Sequence, residues 1–480
     1  MLFVNFAFKP FRVHSAIRYF LVFLVLGCYL PESFAQKITI RGTAPGAERK
    51  MIRIGTPGDL ITFLEKPLAV STVDSAGNFN LSFQSDHTLL VVLSIDFHKT
   101  ELFLEPSGNY SLQIAPMSYD DLTEINPFLQ SQNLSCKILG AGPQELNAVI
   151  ERLNGQYSDF LMDKFKELYN DRNKTVLDTF KIRLEREFGD VTDPYFKVYF
   201  TYKIASLELL TQTRSQWQIA RKYFIEQPVS YFNVEYMDFF NNFFTKYITV
   251  TSNILRKVDY QSLLKNADPY KTILKAMVAD TLLKNEQLRE LVLLKGMMEL
   301  YHTPTYNQDQ VLTVVKSASV TSKYDGNRLV ADNLYKFLTK LRPGTPAPDF
   351  NLKNRDQKMQ SLRSFKGKPV VMNFWTTYCE ECLNEMDLLK PIYDRYKDRI
   401  SFISISADKS FSKMKFFINL KKDYQWNFLC TEDQTEILKD YDVRSYPLFL
   451  ILDKDGNIYQ YPAKFPGSGL ETELQKFIVE

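Results

Sequence analysis

Two cysteines three positions apart, Cys379 and Cys382, are the residues whose type and spacing carry chemistry in this sequence. Thiol–disulfide exchange needs one sulfur presented as a thiolate and a second close behind it to resolve the mixed disulfide. The surrounding pattern supplies that arrangement. Val370-Val-Met-Asn-Phe374 predicts a buried strand, Trp375-Thr-Thr-Tyr378 a loop, and Cys379–Tyr396 a helix. A helix start carries unpaired N–H groups and partial positive charge, both of which favour a thiolate. Cys379 is therefore expected as the nucleophile and Cys382 as the resolving thiol.

Other chemistries for the pair fit less well. A structural zinc site takes four ligands, but no second pair exists and none of His14, His87, His98 and His302 lies near Cys379 in sequence. A peroxidatic cysteine wants a Pro-x-x-x-Thr approach, and this chain has Trp375-Thr-Thr-Tyr-Cys379. No metal and no cofactor is expected. Cys430, in apolar Trp426-Asn-Phe-Leu-Cys430, reads as a core residue, and Cys136 as core or a free thiol. Glu380 and Glu381 bring negative charge beside Cys379, which disfavours its thiolate and makes the pair more reducing. A second signature is Tyr446-Pro447. A cis proline at a strand start would open the preceding backbone to an extended substrate; a trans strand-edge proline is the alternative.

Ala347-Pro-Asp-Phe350, then Lys368-Pro-Val-Val-Met-Asn-Phe-Trp375-Thr-Thr-Tyr-Cys379-Glu-Glu-Cys382, then Val443-Arg-Ser-Tyr-Pro447 resembles the TlpA-like thiol–disulfide oxidoreductases. The resemblance covers residues 341–480. It implies a thioredoxin fold, periplasmic or membrane-tethered, passing reducing equivalents to exported thiols. It also implies roles for Trp375 beside the disulfide, for Pro447 as the cis proline with Tyr446 before it, and for Glu385 near the buried sulfur. Glu385 follows Cys382 by three residues on one helix face, where it would relay a proton or stand as a solvated surface Glu. Three positions depart from the family pattern: Glu381 for proline, Tyr378 for tryptophan and Leu448 for threonine. Asn373 stands where thioredoxin has a buried aspartate, as is usual in this branch.

The elements that must hold this site follow from patterning. After the helix-breaking stretch Leu341-Arg-Pro-Gly-Thr-Pro-Ala-Pro348, strand and helix patterns alternate, which predicts an α/β domain over 341–480. Strands are expected at Ile400–Ile405, Leu448–Leu452 and Ile458–Tyr461, with helices at Phe411–Lys422 and Leu470–Val479. Residues 37–117 read as a sandwich-like β module, with Leu89–Ile95 a strand and turns at Ala44-Pro45-Gly46, Thr56-Pro57-Gly58, Asp74–Asn78 and Pro106–Asn109. Residues 118–340 read as helical, over Glu145–Leu153, Tyr157–Tyr169, Val176–Phe188, Tyr270–Leu283 and Glu286–Leu300. The aromatics of 231–244 are expected to be core.

Residues 1–35 read as a signal peptide. Lys9, Arg12 and Arg18 precede an apolar run of about 12 residues, Tyr19–Leu30, short of the ~20 that a membrane-spanning helix needs. Ser33-Phe34-Ala35 has cleavage-site form, and a lipoprotein anchor at Cys28 is the alternative. The expected location is the periplasm or cell envelope. With 45% apolar and 24% charged residues the chain reads as globular, and a formal charge of +3 over 480 residues gives no case for nucleic acid. The expected partners are proteins with thiols or disulfides, a membrane electron donor for re-reduction, and a second copy of the chain. The rival functions are a scaffold with a thioredoxin docking module and a thiol peroxidase.

Overall fold

The computed structural model describes residues 35–116 and 132–479, apart from Phe97, Thr213, Lys409, Asp433 and Thr435. The expected signal region up to Phe34, with Cys28, lies outside the described residues.

Among the described residues nine short strands come first: β1 Gln36–Thr43, β2 Met51–Pro57, β3 Glu65–Thr72, β4 Asn78–Ser85, β5 Leu89–Ile95, β6 His98–Leu104, β7 Asn109–Ile114, β8 Gln132–Asn133 and β9 Cys136–Ile138. They form two sheets, ordered β4-β1-β7-β9 and β3-β2-β5-β6-β8. The burial of β4 alternates strictly, as expected where one face covers a core and the other meets water. Ile38, Ile40, Leu81 and Leu112 of the first sheet join Ile52, Ile54, Val91 and Leu102 of the second in one apolar cluster. At the turn into β4, Asp74 accepts from the N–H groups of Ala76 and Asn78, and Gly77 takes a left-handed φ of 79°.

Two differences from the patterning stand out here. Thr56 and Pro57 are strand, not turn. Pro57 ends β2 beyond the stretch Ile52–Gly55 that pairs with β5, so its missing N–H breaks no bond on that side. The sheets also continue past Met117, because β8 and β9 pair with β6 and β7 inside the region expected to be helical.

The helical region is built from α1 Leu146–Tyr169, α2 Lys174–Phe188, α3 Pro194–Thr211, α4 Val234–Phe243, α5 Pro269–Met277, α6 Glu286–Tyr301, α7 Gln308–Thr321 and α8 Asp325–Thr339, with shorter turns between. The two stretches expected within 145–169 are one helix. Asp193-Pro194 starts α3: Asp193 accepts from Phe196 N–H, and proline fits a first helical position. The helix expected over Tyr270–Leu283 ends at Met277. Asp280 then captures Leu282 N–H and opens a separate 3-10 turn, Thr281–Leu283. Tyr236, Phe239, Phe240, Phe243 and Phe244 are buried in the largest core, which Leu60 and Ile61 enter from the loop after β2. Asn241 Nδ2 donates to Leu60 O at 2.8 Å, so the β module and the helices are tied by polar as well as apolar contact.

The C-terminal part holds a seven-stranded sheet ordered β11-β10-β14-β13-β12-β15-β16. Its strands are β10 Asn351–Asn354, β11 Met359–Ser361, β12 Val370–Trp375, β13 Ser401–Ser406, β14 Asn427–Cys430, β15 Leu448–Leu452 and β16 Ile458–Gln460. Helices α9 Glu380–Tyr396, α10 Phe411–Leu420, α11 Glu436–Asp440 and α12 Leu470–Val479 connect and cover it. Every residue of β12 is buried. It runs parallel to β13 and antiparallel to β15, which leaves it central and apolar on both faces. Val371 and Trp375 belong to the cluster under α9, while Val370, Met372 and Phe374 belong to the cluster on the opposite face. β10, β11 and β14 lay outside the expected elements. Each has only three or four residues, too few for alternation to register.

Candidate functional site

The central strand β12 delivers the chain to the site. Beyond Trp375, the loop Thr376–Tyr378 turns into α9, with Cys379 as the helix N-cap at φ −88° and ψ 99°. Cys379 and Cys382 are joined as a disulfide, with their Cα atoms 5.2 Å apart. Cys382 N–H points at Cys379 Sγ from 3.1 Å. That geometry aims an orphan helix N–H at the sulfur, the arrangement that stabilises a thiolate after reduction. Cys379 is partly exposed, whereas Cys382 is 1% exposed and packed into the core under the helix. The two sulfurs therefore differ in access, and only the first is open to another molecule.

The first turn of α9 carries exposed Glu380 and Glu381. These carboxylates oppose the effect of the helix terminus on the Cys379 sulfur. Tyr378, half exposed, stands just before it.

On the other side, the Tyr446–Pro447 peptide bond is cis, and Pro447 is buried at the start of β15. Tyr446 is partly buried and packs against both clusters that flank the sheet. Burial pushes its phenol well above the usual range, and Tyr378 and Asp408 add to the push. Phe374, just ahead of the loop into Cys379, pairs with Leu448, which follows Pro447, so the two loops leave the same end of the sheet.

Asp408 was not among the residues singled out in the sequence. It follows β13 and is fully buried. Its carboxylate accepts Thr377 Oγ1 at 2.8 Å, Thr377 N–H at 3.1 Å and Ser406 Oγ at 2.6 Å. The one available signal was an aspartate ending the apolar run Ile403-Ser-Ile-Ser-Ala-Asp408, where a strand reaches the same sheet end as the cysteine pair.

Two expected site residues have partners within the fold. Trp375, read as a substrate contact, is fully buried; its ring lies 5.0 Å from Phe417 and 5.9 Å from Phe428. It lies in the same core cluster as Cys382, beneath α9. Glu385, read as a proton relay or a solvated Glu, turns its carboxylate to Gly467 N–H at 2.8 Å. That bond ties α9 to the turn before α12. A Cβ on Gly467 would stand 3.1 Å from Glu385 Oε1, so the contact depends on the missing side chain.

Cys430 is buried, with Sγ 3.6 Å from Asp408 O, and burial pushes its thiol up to about 11. Cys136 is pushed up to about 11 by the same cause. Neither thiol is poised to react at neutral pH. Among the described residues, no group of three or more His, Cys, Asp and Glu side chains is placed to hold a metal ion, and no helix is long and apolar enough to cross a membrane.

A central buried strand that hands a C-x-x-C disulfide to a helix N-terminus, one sulfur partly exposed and the other sealed beneath the helix, is the arrangement of a thioredoxin-type oxidoreductase site. Comparison with known proteins agrees. The model of the AhpC/TSA family matches residues 343–461. The thioredoxin-like protein YneN of Bacillus subtilis is 35% identical over 133 residues, which span 26% of this chain and 76% of that protein. The thiol-disulfide oxidoreductase ResA of Bacillus thuringiensis subsp. konkukian is 32% identical over 141 residues, 29% of this chain and 78% of that protein. A crystal structure of the thioredoxin domain of a thiol-disulfide oxidoreductase from Bacteroides vulgatus aligns at 27% identity and a TM-score of 0.26, covering 28% of this chain and 97% of that one. The chain belongs, through its C-terminal part, to the thioredoxin-like thiol–disulfide oxidoreductases of the ResA, YneN and TlpA type. It is an oxidoreductase of the thioredoxin class.

Proposed function

We propose that the chain is exported and reduces disulfides in other exported proteins, with Cys379 as the attacking thiol and Cys382 as the resolving one. The observation that carries this reading is the unequal access of the two sulfurs: Cys379 partly exposed at the helix start, Cys382 sealed beneath it. The Cys379 thiolate attacks a substrate disulfide, forming a mixed disulfide and releasing one substrate thiolate, which takes up a proton. Cys382 then loses its proton and attacks Cys379 Sγ. The mixed disulfide breaks, the Cys379–Cys382 bond forms and the second substrate thiol leaves. Two electrons pass to the substrate, and a membrane electron donor restores the dithiol.

In this reading an extended substrate segment pairs as an added strand along Tyr446 and Pro447, which precede the strand paired with β12. The reducing direction follows from Glu380 and Glu381, whose charge destabilises the thiolate form. Export to the periplasm or envelope rests on the basic and apolar N-terminal run; β1 begins at Gln36, the residue that cleavage after Ala35 would expose. Residues 37–340 position the substrate or a second copy of the chain.

A redox titration with mass-tagging of the cysteines tests this. Cys379 and Cys382 are expected to titrate as one two-electron couple near the roughly −270 mV of thioredoxin. A couple near roughly −120 mV would reverse the direction. Failure to form the disulfide would end the reading.

A further inference from the structure

We infer that Asp408 is a positioning residue for the Cys379–Cys382 pair: its carboxylate fastens the loop that leads into Cys379, and its charge holds the pair toward the disulfide. This inference rests on the disulfide-exchange reading above. Asp408 is fully buried, and among the described residues its carboxylate is met by uncharged donors alone: Thr377 N–H, Thr377 Oγ1 and Ser406 Oγ. A buried carboxylate is costly to keep, and hydroxyl and amide donors offset that cost without cancelling the charge.

The placement gives the charge a target. Thr377 lies two residues before Cys379, and Cys379 N–H donates to Thr376 O at 3.3 Å, so the segment clasped by Asp408 is continuous with the helix N-cap. Among the described residues, the titratable groups shown to interact with it are neutral, and those on the neighbouring turns are acidic. Tyr378 and Tyr446 lie between the two loops, and Tyr446 remains a neutral phenol. Cys430 approaches from β14, with Glu432 beside it, and remains a neutral thiol at pH 7. Glu380 and Glu381 occupy the first turn of α9. In this setting the Asp408 charge acts through a poorly screened interior. It disfavours the Cys379 thiolate, and with it the dithiol form. Asn373, neutral on the neighbouring strand, leaves Asp408 as the fully buried carboxylate of the β12–β13 strand ends.

The test is a glutathione redox equilibrium at pH 7 on the full chain and two variants. Asp408→Asn keeps a carbonyl acceptor and removes the charge. It is expected to raise the equilibrium constant for reduction of the pair about tenfold, a potential shift of about 30 mV. Thr377→Val keeps the charge and removes a hydroxyl that screens it, so the constant should fall about twofold to threefold. Opposite signs are the mark of the charge, because simple loosening of the loop moves both variants the same way. Shifts of one sign, or an Asp408→Asn constant within about twofold of wild type, overturn the inference. If Asp408→Asn does not fold, Ser406→Ala takes its place, because it strips a second hydroxyl from the carboxylate without touching the Thr377 clasp: a fall in both Thr377→Val and Ser406→Ala supports the inference, and no change or a rise in either overturns it. A wild-type pair that never titrates as a two-electron couple defeats the parent reading instead.

Discussion

Ser404 Oγ donates to Asn373 Oδ1 at 2.6 Å, between two residues directly opposed in the parallel register of β12 and β13. Trp426 Nε1 in turn donates to Ser404 Oγ at 2.8 Å, and all three side chains are buried. The central strand thus carries a neutral polar chain beside the helix that holds the disulfide. Asn373→Asp would put a carboxylate into a site whose nearest donor is one hydroxyl. A cost of about 2 kcal/mol at pH 7 is expected. Burial raises such a carboxyl above its unfolded value of about 3.9, so the variant is hurt least below that value and loses stability as pH rises through the folded one. Urea midpoints at pH 4 and pH 8 check this; an equal loss at both would contradict it.

The difference in access between the two sulfurs predicts an asymmetry in trapping. Cys382→Ser leaves the exposed thiol able to attack, so it should accumulate mixed disulfides with a model disulfide substrate. Cys379→Ser leaves only the 1% exposed sulfur and should trap none. Turnover should fall by at least about a hundredfold in both. Non-reducing electrophoresis of the two reactions distinguishes the roles, and equal trapping would show that access does not decide which sulfur attacks.

How much of this was legible in the sequence depends on the range of the forces involved. The strand–loop–helix that carries Cys379 and Cys382 was readable because burial, helix start and cysteine spacing all lie within about thirty residues. The short strands β10 and β14 were not, since each is held by a partner far away in the chain: Lys353 and Asn354 pair with Cys430 and Leu429. Asp408 was missed for the same reason. Its partners Thr377 and Ser406 meet only once two parallel strands are in register, and an Asp after an apolar run otherwise reads as a turn. Glu385 was seen as a helix neighbour of Cys382, but its actual partner, Gly467, is 82 residues away. Trp375 could be assigned to the site by position, but its burial depended on α10 and β14 bringing Phe417 and Phe428 over it.

Glu385 and Gly467 allow a bracing role and a proton-relay role to be told apart. As a brace between α9 and the turn before α12, Glu385→Gln should cost roughly 0.5–1 kcal/mol. It should leave the potential of the cysteine pair unchanged within about 5 mV. Gly467→Ala, which crowds Glu385 and Leu388 from 3.0–3.1 Å, should destabilise by a similar amount. Thermal melts give the first quantity and glutathione titration the second. A potential or pH–rate profile that moves in Glu385→Gln would support the proton-relay role instead.

Native reactivity of the remaining thiols follows from burial. With the pair reduced, iodoacetamide at pH 7.5 should modify Cys379 first and leave Cys136 and Cys430 largely unmodified, since burial holds both near 11. Peptide mapping reads this directly. Rapid labelling of Cys430 in the folded protein would mean that β14 opens at the edge of the site.

The helical region contains a buried ion cluster that ties its stability to pH. Glu208, 1% exposed on α3, is met by Lys181 at 2.6 Å, by Lys222 and Arg214 at 3.2 Å, and by the Tyr223 hydroxyl at 3.0 Å. Burial alone would raise its carboxyl, but the Lys181 hydrogen bond and the three positive charges outweigh burial and hold it below the usual range. A carboxyl lowered on folding contributes stability above its unfolded value of about 4.3, and that contribution disappears as pH falls through the folded value. Removing the charge leaves largely buried Lys181 without its partner, while Lys222 and Arg214, more than a third exposed, are screened by water, so Glu208→Gln should cost about 1–2 kcal/mol at pH 7. The gap between wild type and variant should close below about pH 4, as the wild-type carboxyl protonates. Amide exchange in α3, followed from pH 7 down to pH 3 in both proteins, measures the gap. A gap that stays constant over that range would mean the cluster holds α3 by packing alone.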